Sequence, residues 1–258
     1  MTFHTIVCIK AVVARAPQGR IVRTTDNSCF NPFDRVALEA ALQLKAHTGG
    51  RVTVLSMGPP ACEVVMAEAL AMGADRAVLA CDPAFAGADT LATSTTLAAA
   101  IETMAPYDLV LFGTRTADSD TGQVGPQTAV ALNIPIITGV HQFTCMEDRL
   151  EVERTMDHLV ESFAVDFPAA LTIRPGALQS RDIGLRGLAE AFDDRQVERL
   201  QLADLTLSCA QVGEAGSPTR VVSMRPLRQN RQGQFLQGEP ADLADKLIQQ
   251  WTEKGLLD

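Results

Sequence analysis

The stretch YDLVLFGTRTADSDTGQVGP at residues 107–126 contains the repeating unit of the fold. Its first seven residues form a short, almost wholly apolar run, which is typical of a strand buried on both faces. Pro126 has no backbone N–H and is tolerated in the first turn of a helix, so a helix should begin near Val124 or Gly125. The residues from Thr116 to Gln123 should then form an exposed loop. The stretch therefore predicts a strand, a loop and a helix in succession.

The same alternation occurs across the first half of the chain. Short β-branched runs lie at 5–10, 51–58, 75–81, 107–113 and 134–140, and segments with helical spacing of apolar residues lie at 33–47, 61–73 and 89–104. Apolar strands that alternate with helices favour a parallel sheet covered on both faces. We therefore expect a doubly wound α/β domain, with the third helix capped by the carboxylate of Asp89.

The pattern changes after about residue 145. Three strand-like pieces follow one another without a helix between them, at 150–156, 159–167 and 169–175. Their succession favours a small antiparallel extension of the sheet. We expect the α/β domain, including this extension, to span residues 1–205.

Residues 206–258 differ in composition, since they are rich in Gly, Arg and Gln. We expect a C-terminal arm with little core of its own, which ends in an amphipathic helix from about Ala241 to Lys254. A segment of that kind usually needs another surface to lie on, and a partner subunit would provide one.

Charge and cysteine content exclude several classes of protein. The 258 residues include 22 basic and 31 acidic ones, and their net charge of −9 without a basic run argues against nucleic acid or an anionic membrane as partner. The apolar runs fall short of the roughly 18 residues that suggest a membrane span. The six cysteines show no C-x-x-C pair, so we expect neither a metal site nor a disulfide framework, and a reducing cytoplasm fits best.

The loop after the strand at 107–113 is rich in hydrogen-bonding groups. Ligands of open parallel sheets bind at the carboxyl ends of the strands, where this loop lies. Ser119, Thr121, Gln123 and the free amides of the following helix form a donor-rich site for a phosphate or a ribose. Asp118 or Asp120 could accept from ribose hydroxyls, but either carboxylate would repel a pyrophosphate. An Asx-turn that only caps the helix is the alternative.

The segment GADTLATS at 87–94 has the same design. Gly87 provides backbone freedom, and Asp89, Thr90, Thr93 and Ser94 lie around a helix start. Alone, such a segment caps a helix as often as it binds a ligand. Two such starts at one sheet edge favour binding.

The chain has no residues that indicate catalysis. It lacks a G-x-G-x-x-G after the first strand and a G-x-x-x-x-G-K-[ST] loop, and its four histidines are scattered, with none beside an obvious nucleophile. We therefore assign no catalytic residue. A nucleotide-binding protein of this kind should be a carrier, a sensor or half of a larger site.

Several motifs in order resemble the beta subunit of electron-transfer flavoproteins along nearly the whole chain. They are NPFDRVALEAALQLK, VTVLSMGPP, EALAMGADRAVLACD, FAGADTLATS, YDLVLFG, DSDTGQVGPQTA and GSPTRV. The resemblance implies an α/β nucleotide-binding domain whose C-terminal arm wraps around an alpha subunit. It also implies either a structural AMP or a second FAD in this subunit.

The resemblance favours FAD, because GADTLATS and the QVGP ending of the later loop are similar to the FAD-binding members. Those members are associated with electron bifurcation from NADH. The contacts that it implies are Cys8, Asn31, Pro32, Phe33, Asp34, Met57, Gly58, Asp89, Thr90, Thr93, Asp118, Ser119, Asp120, Thr121, Gly122, Gln123, Val124, Gly125, Gln127 and Thr128. The alternatives are a non-bifurcating carrier with structural AMP and a redox-inactive nucleotide-binding module.

The sequence also departs from the family pattern. DSDTGQ replaces the usual D-G-D-T-A-Q, so Ser119 places a side chain where the backbone would approach the ligand, and VVARAP replaces a common V-P-D after the first strand. The segment at 180–200 keeps an exposed leucine at Leu185, the predicted partner contact, but lacks the lysine cluster often found after it. A redox partner other than the usual acyl-CoA dehydrogenase, or a fused one, would explain that change. Beside the alpha subunit, we expect a flavin dehydrogenase or another redox partner.

Overall fold

The computed structural model describes residues 3–13, 24–146, 148–193, 197–223 and 233–257. The contacts divide the chain into two compact units, Met1–Ser223 and Met224–Asp258. Among the described residues, the first unit contains the large sheet and five α-helices, and the second unit contains one α-helix.

The first unit is built from short strands and the helices between them. The strands are β1 (His4–Cys8), β2 (Ala11–Val13), β3 (Ser28–Phe30), β4 (Arg51–Met57), β5 (Arg76–Ala80), β6 (Leu109–Gly113), β7 (Ile136–Cys145), β8 (Arg149–Met156), β9 (Leu159–Asp166), β10 (Ala169–Ile173) and β11 (Glu198–Leu200). The helices are α1 (Pro32–Thr48), α2 (Glu63–Met72), α3 (Thr90–Glu102), α4 (Val124–Ala131) and α5 (Leu185–Asp193).

Nine described strands form one sheet in the order β11-β5-β4-β1-β6-β10-β7-β8-β9, while β2 and β3 form a separate antiparallel pair. Every pairing from β11 to β7 is parallel. All five residues of β1 are buried, as expected for a strand with a neighbour on each side and helices on both faces. The predicted doubly wound α/β fold is confirmed.

Two apolar clusters lie on opposite faces of the sheet. Val7 and Leu111 belong to the cluster that contains Leu38 of α1 and Met66 of α2. Their chain neighbours Ile6, Val110 and Phe112 belong to the cluster that contains Ile101 of α3 and Ala129 of α4. Because side chains alternate along a strand, the apolar runs supply both cores at once.

The prediction that 169–175 joins an antiparallel extension is wrong. β10 lies between β6 and β7 and is parallel to both, with Ala170 paired to Val110 on one side and to Ile136 on the other. All five of its residues are buried, which is typical of an interior parallel strand. The antiparallel part consists of β8, which pairs with β7, and β9, which pairs with β8.

The helix boundaries agree closely with the sequence patterns. α4 begins at Val124, and α3 follows its cap residue Asp89, as predicted. In the second unit, α6 spans Pro240–Glu253, against the predicted 241–254. No helix in the described ranges is long and apolar enough to cross a membrane.

The segment that follows β11, up to Ser223, belongs to the first unit and packs on its core. Leu205 and Val212 are buried in the same cluster as Ile101. Residues 206–223, which the composition places in the arm, are therefore part of the first unit. Of the remaining arm, residues 224–232 lie outside the described residues.

Replacement of Val212 should test whether this segment contributes to the core. Val212 is 1% exposed, so Val212→Ala should lower the free energy of unfolding by about 2 kcal/mol, because it removes buried methyl groups and leaves a cavity. Val222 is 96% exposed, and Val222→Ala is the matched control that should leave stability unchanged. Urea unfolding measures both, and equal effects would contradict the packing.

Candidate functional site

The strand order reverses at the boundary between β1 and β6. From β1 the chain proceeds through α1 to β4 on one side, whereas β6 is followed by β7 and β10 on the other side. In open α/β sheets a crevice forms at the carboxyl end of such a switch point, and ligands bind there. The loops after β1 and β6 and the start of α1 meet at this point.

Asn31 joins these three segments. Its side chain is fully buried, its Nδ2 donates to the carbonyl of Arg115 at 2.9 Å, and its Oδ1 accepts from the N–H of Ala117 at 3.2 Å. The Asn31 N–H also donates to the carbonyl of Lys10 at 3.1 Å. The family resemblance implies Asn31 as a ligand contact, and the structure shows that its amide holds the loop after β6 in place.

Asp34 is buried beneath the end of β6. Its Oδ2 accepts from the N–H of Lys10 at 2.8 Å. A Cβ atom at Gly113 would collide with the Asp34 carboxylate and with the α1 backbone, so only glycine permits this approach. Gly113 was missed as a site residue, and its only sequence signal is a glycine at the end of a buried strand.

Burial raises the pKa of the Asp34 carboxyl to about 7, against hydrogen bonds from Asn31, Lys10 and Gly113 and the charge of Lys10, which lower it. Burial, together with the nearby Asp34, raises the pKa of the Cys8 thiol well above its ordinary value. Cys8 ends β1 as an uncharged, buried side chain. Neither group resembles a nucleophile.

Both aspartates of the loop after β6 face a cation. Lys10 Nζ lies 2.7 Å from Asp118 Oδ1 and 3.1 Å from Ser119 Oγ. Arg115 lies 3.4 Å from Asp120, and its guanidinium stands 4.8 Å from the ring centre of Phe33. Neither cation is predicted from the sequence. Lys10 is distant in sequence from Asp118, and Arg115 approaches Asp120 only once the loop is folded.

The start of α3 is closed by the protein itself. Asp89 Oδ1 accepts from the N–H groups of Leu91 and Ala92, and Oδ2 accepts from the N–H and the hydroxyl of Thr219. Although burial acts to raise the pKa of the Asp89 carboxyl, the hydrogen bonds from Thr219 and from the backbone of α3 lower it below the ordinary value. This helix start is thus capped by Asp89 without a ligand.

The start of α4 differs, since no side chain caps it. Gln123 precedes the helix and accepts from the Thr90 hydroxyl at 3.2 Å, so the starts of α3 and α4 lie side by side. A Cβ atom at Gly125 would lie 3.2 Å from Phe112 and from Thr172, so glycine allows α4 to pack closely on the sheet. First-turn amides that no side chain caps attract anions, and α4 is therefore the better of the two predicted phosphate sites.

The other predicted contacts divide into groups. Thr121 and Gly122 lie in the exposed loop, and Gly122 has a φ of 64°. Thr128 is buried and donates to the Val124 carbonyl at 2.8 Å, which is a role inside the helix. The remaining ones lie near the ends of their elements: Pro32 is exposed, Phe33, Met57, Gly58 and Thr93 are half-buried, and Gln127 accepts from the Ser94 hydroxyl at 3.3 Å.

Leu185 lies outside this crevice. It is the first residue of α5 and is 88% exposed, as the sequence predicts.

A groove of about 610 Å³ between α1 and β7 is likewise separate, since it contains none of the predicted contacts. The residues implied as cofactor contacts therefore gather mainly where the loops after β1 and β6 and the starts of α1, α3 and α4 meet.

The family profile described as the electron transfer flavoprotein domain matches residues 18–205. The chain belongs to the electron transfer flavoprotein family. It is 38% identical over 237 residues to an electron transfer flavoprotein subunit beta of Thermoanaerobacterium thermosaccharolyticum, which covers 92% of this chain and 91% of the relative. It is also 36% identical to subunit CarD of the caffeyl-CoA reductase–Etf complex of Acetobacterium woodii, over 93% of this chain and 92% of that protein.

Protein FixA of Azotobacter vinelandii is a further relative, at 33% identity over 93% of this chain and 90% of its own length. These matches cover nearly all of each protein. Among the described residues, the crevice at the switch point includes the start of α4, which no side chain caps.

Asp34 should make the stability of the domain depend on pH. Its folded pKa is raised, so its contribution to stability is present below the ordinary pKa and is lost as pH rises through about 7. Asp34→Asn removes this effect. The free energy of unfolding of the variant relative to wild type should therefore rise by about 2–3 kcal/mol between pH 5 and pH 8.

Asp82→Asn is the control for this measurement. The N–H groups of Ala84 and Leu202 lower the pKa of the Asp82 carboxyl, so it stays ionised from pH 5 to pH 8. The difference in free energy of unfolding between Asp82→Asn and wild type, measured by urea unfolding, should be the same at both pH values. An Asp34→Asn offset that is equally constant would show that Asp34 does not titrate in this range.

Proposed function

We propose that this chain is the beta subunit of an electron transfer flavoprotein heterodimer and that it binds FAD at the carboxyl edge of its sheet. The family membership supports the subunit assignment, as does the near full-length match to a beta subunit from Thermoanaerobacterium thermosaccharolyticum. The motifs GADTLATS and QVGP favour FAD over AMP.

One observation carries the proposal. The uncapped start of α4 adjoins a loop with hydroxyls at Ser119 and Thr121, at the switch point of a parallel sheet. Backbone amides would receive the phosphates there, while the exposed polar groups of the loop would receive a ribose. These are the groups that an adenine nucleotide presents.

The residues of this crevice suit a cofactor that performs its own chemistry. A bound flavin would supply electron transfer through its ring, and the protein would supply its position and surroundings. Asn31 and Gly113 hold the walls of the crevice together, and Cys8 ends β1 as a buried, uncharged thiol. NADH is the proposed electron donor, and electron bifurcation is the proposed process.

AMP is the second candidate ligand, since it shares the adenosine and a phosphate with FAD and would use the same amides. A chain with AMP would be a carrier subunit whose flavin lies elsewhere in the heterodimer. A redox-inactive nucleotide-binding module is the third reading. All three depend on the same crevice, and they differ in what it holds.

The partners follow from the parts outside the crevice. We propose that the C-terminal arm, with α6, wraps an alpha subunit and that Leu185 contacts a flavin dehydrogenase or another redox partner. α6 presents Ile248 and Trp251, both exposed, which suits a helix that docks on another protein. The six free cysteines suit a reducing cytoplasm, which is the proposed location.

Mass identification of the released nucleotide should decide between the ligands. Denaturation of the heterodimer, expressed with its alpha subunit, should release about two FAD per complex if both subunits bind flavin. One FAD and one AMP would contradict the FAD proposal and leave the simpler carrier. Two flavins that NADH cannot reduce would contradict NADH as donor.

Gln123 and Asp120 should affect the ligand more than the fold. Gln123→Ala and Asp120→Ala should lower the nucleotide retained after dialysis several-fold, because both side chains lie in the loop before α4. Asp157→Ala is the matched control, since Asp157 shares the positive φ of Asp120, 54° against 52°, but lies in the β8–β9 turn. Equal retention in Asp120→Ala, Gln123→Ala and the control would contradict the assignment.

A further inference from the structure

Residues 213–219, which we call the arm root, lie along the loop that leads into α3. A Cβ atom at Gly213 would collide with the carbonyl of Ala84, so only glycine permits this approach. The N–H of Glu214 donates to the carbonyl of Ala86 at 2.9 Å. The arm root thus begins in close contact with that loop.

Asp89 fixes the other end of the arm root. Its N–H donates to the Ser217 hydroxyl at 2.8 Å, and its Oδ2 accepts from the N–H of Thr219 at 3.1 Å and from the Thr219 hydroxyl at 2.7 Å. Its Oδ1 accepts from the N–H groups of Leu91 and Ala92. A carboxylate has about four acceptor sites, and these four donors use them. One side chain therefore caps α3 and holds the arm root at the same time.

The residues that follow the arm root are exposed. Val221 is 80% exposed and Val222 is 96% exposed, and the first unit ends at Ser223. Two adjacent valines with this exposure present apolar surface that a second protein could cover. Thr219 thus lies directly before a stretch that suits a docking segment.

A fixed starting point lowers the conformational entropy that such a segment loses when it binds. Residues that are already ordered in the free subunit lose less backbone freedom on binding, and the affinity is higher for that reason. If Thr219 were released, the partner would have to order the chain from residue 218 onward. The contact between Asp89 and Thr219 therefore pre-organises the start of the segment.

We propose that Asp89 is a positioning residue for the alpha subunit, because it fixes Thr219 and so places the start of the arm for binding. This inference rests on the proposed heterodimer. Asp89 acts through Thr219 and needs no contact with the alpha subunit or with the nucleotide. The two residues lie 130 positions apart, and they join the segment GADTLATS to the motif GSPTRV.

The test measures the dissociation constant of the heterodimer, formed by the full chain and its alpha subunit, by fluorescence-detected sedimentation. Asp89→Asn keeps an oxygen that can cap α3, since Asn caps a helix as well as Asp does, but it places an NH₂ group opposite the N–H of Thr219. This variant should raise the dissociation constant about tenfold. Hydrogen exchange of the full chain should be faster at the Thr219 amide in Asp89→Asn than in wild type.

Variants of Thr219 show whether Asp89 acts through it. Thr219→Val removes the hydroxyl and keeps the N–H, so it should raise the dissociation constant several-fold, whereas Thr219→Ser keeps both donors and should match wild type. In the Asp89→Asn background, Thr219→Val should add less than it does alone, because the contact is already broken. Additive effects would mean that the two residues act independently and would overturn the inference.

Asp82→Asn is the matched control. Asp82 has the same design as Asp89, since it accepts from the N–H of Ala84 in a short 3₁₀ helix and from the N–H of the distant Leu202. Because Leu202 lies before the arm root, Asp82→Asn removes a comparable hydrogen bond from the fold but should leave the dissociation constant unchanged. A tenfold rise in this control would mean that general stability sets the affinity, and it would overturn the inference.

The remaining outcomes are decisive. An unchanged dissociation constant in Asp89→Asn, or equal exchange of the Thr219 amide in Asp89→Asn and wild type, overturns the inference while the heterodimer still stands. Thr219→Val should release as much nucleotide per heterodimer as wild type, and a loss of nucleotide would mean that the contact acts through the crevice instead.

Two further cases separate the inference from the function on which it rests. If Asp89→Asn does not fold, an unchanged dissociation constant in Thr219→Val overturns the inference. If wild type forms no heterodimer with the alpha subunit, the proposed function fails first, and the inference fails with it.

Discussion

The approach of the start of α1 to the end of β6 is the contact on which the rest of the site depends. Gly113 leaves no side chain in the gap, so Asp34 and the first turn of α1 lie directly on the strand. Asn31 then ties the loop after β6 to the loop after β1 with its buried amide. Without this contact the two loops at the switch point would have no common anchor, and Lys10 would not face Asp118.

Two helix starts that look alike in sequence differ in the structure. α3 is closed by Asp89, whose second oxygen holds Thr219 and so also anchors the segment that follows β11. α4 keeps its first turn free of any side-chain cap. One start therefore stabilises the chain, and the other remains able to receive an anion.

The described part of the crevice contains buried groups with shifted pKa values but no arrangement that could carry out catalysis. Asp34 is hydrogen-bonded from several sides, and Cys8 is held in its uncharged form by burial. Such groups set the polarity around a ligand and supply no chemistry of their own. In the proposed function, a bound flavin would perform the redox work.

The sequence alone determined the features that depend on neighbouring residues. The buried runs of β1, β4, β5 and β6 were visible, as were the cap at Asp89 and the start of α4, because apolar periodicity, proline and capping residues act within a few positions. Tertiary structure decided the features that join distant residues. The place of β10 between β6 and β7, the need for glycine at 113 and the pairing of Lys10 with Asp118 all arise between segments far apart in the chain. A strand's own residues show that it is buried but not which strands flank it, and a lysine's position in sequence does not show which carboxylate the fold will bring to it.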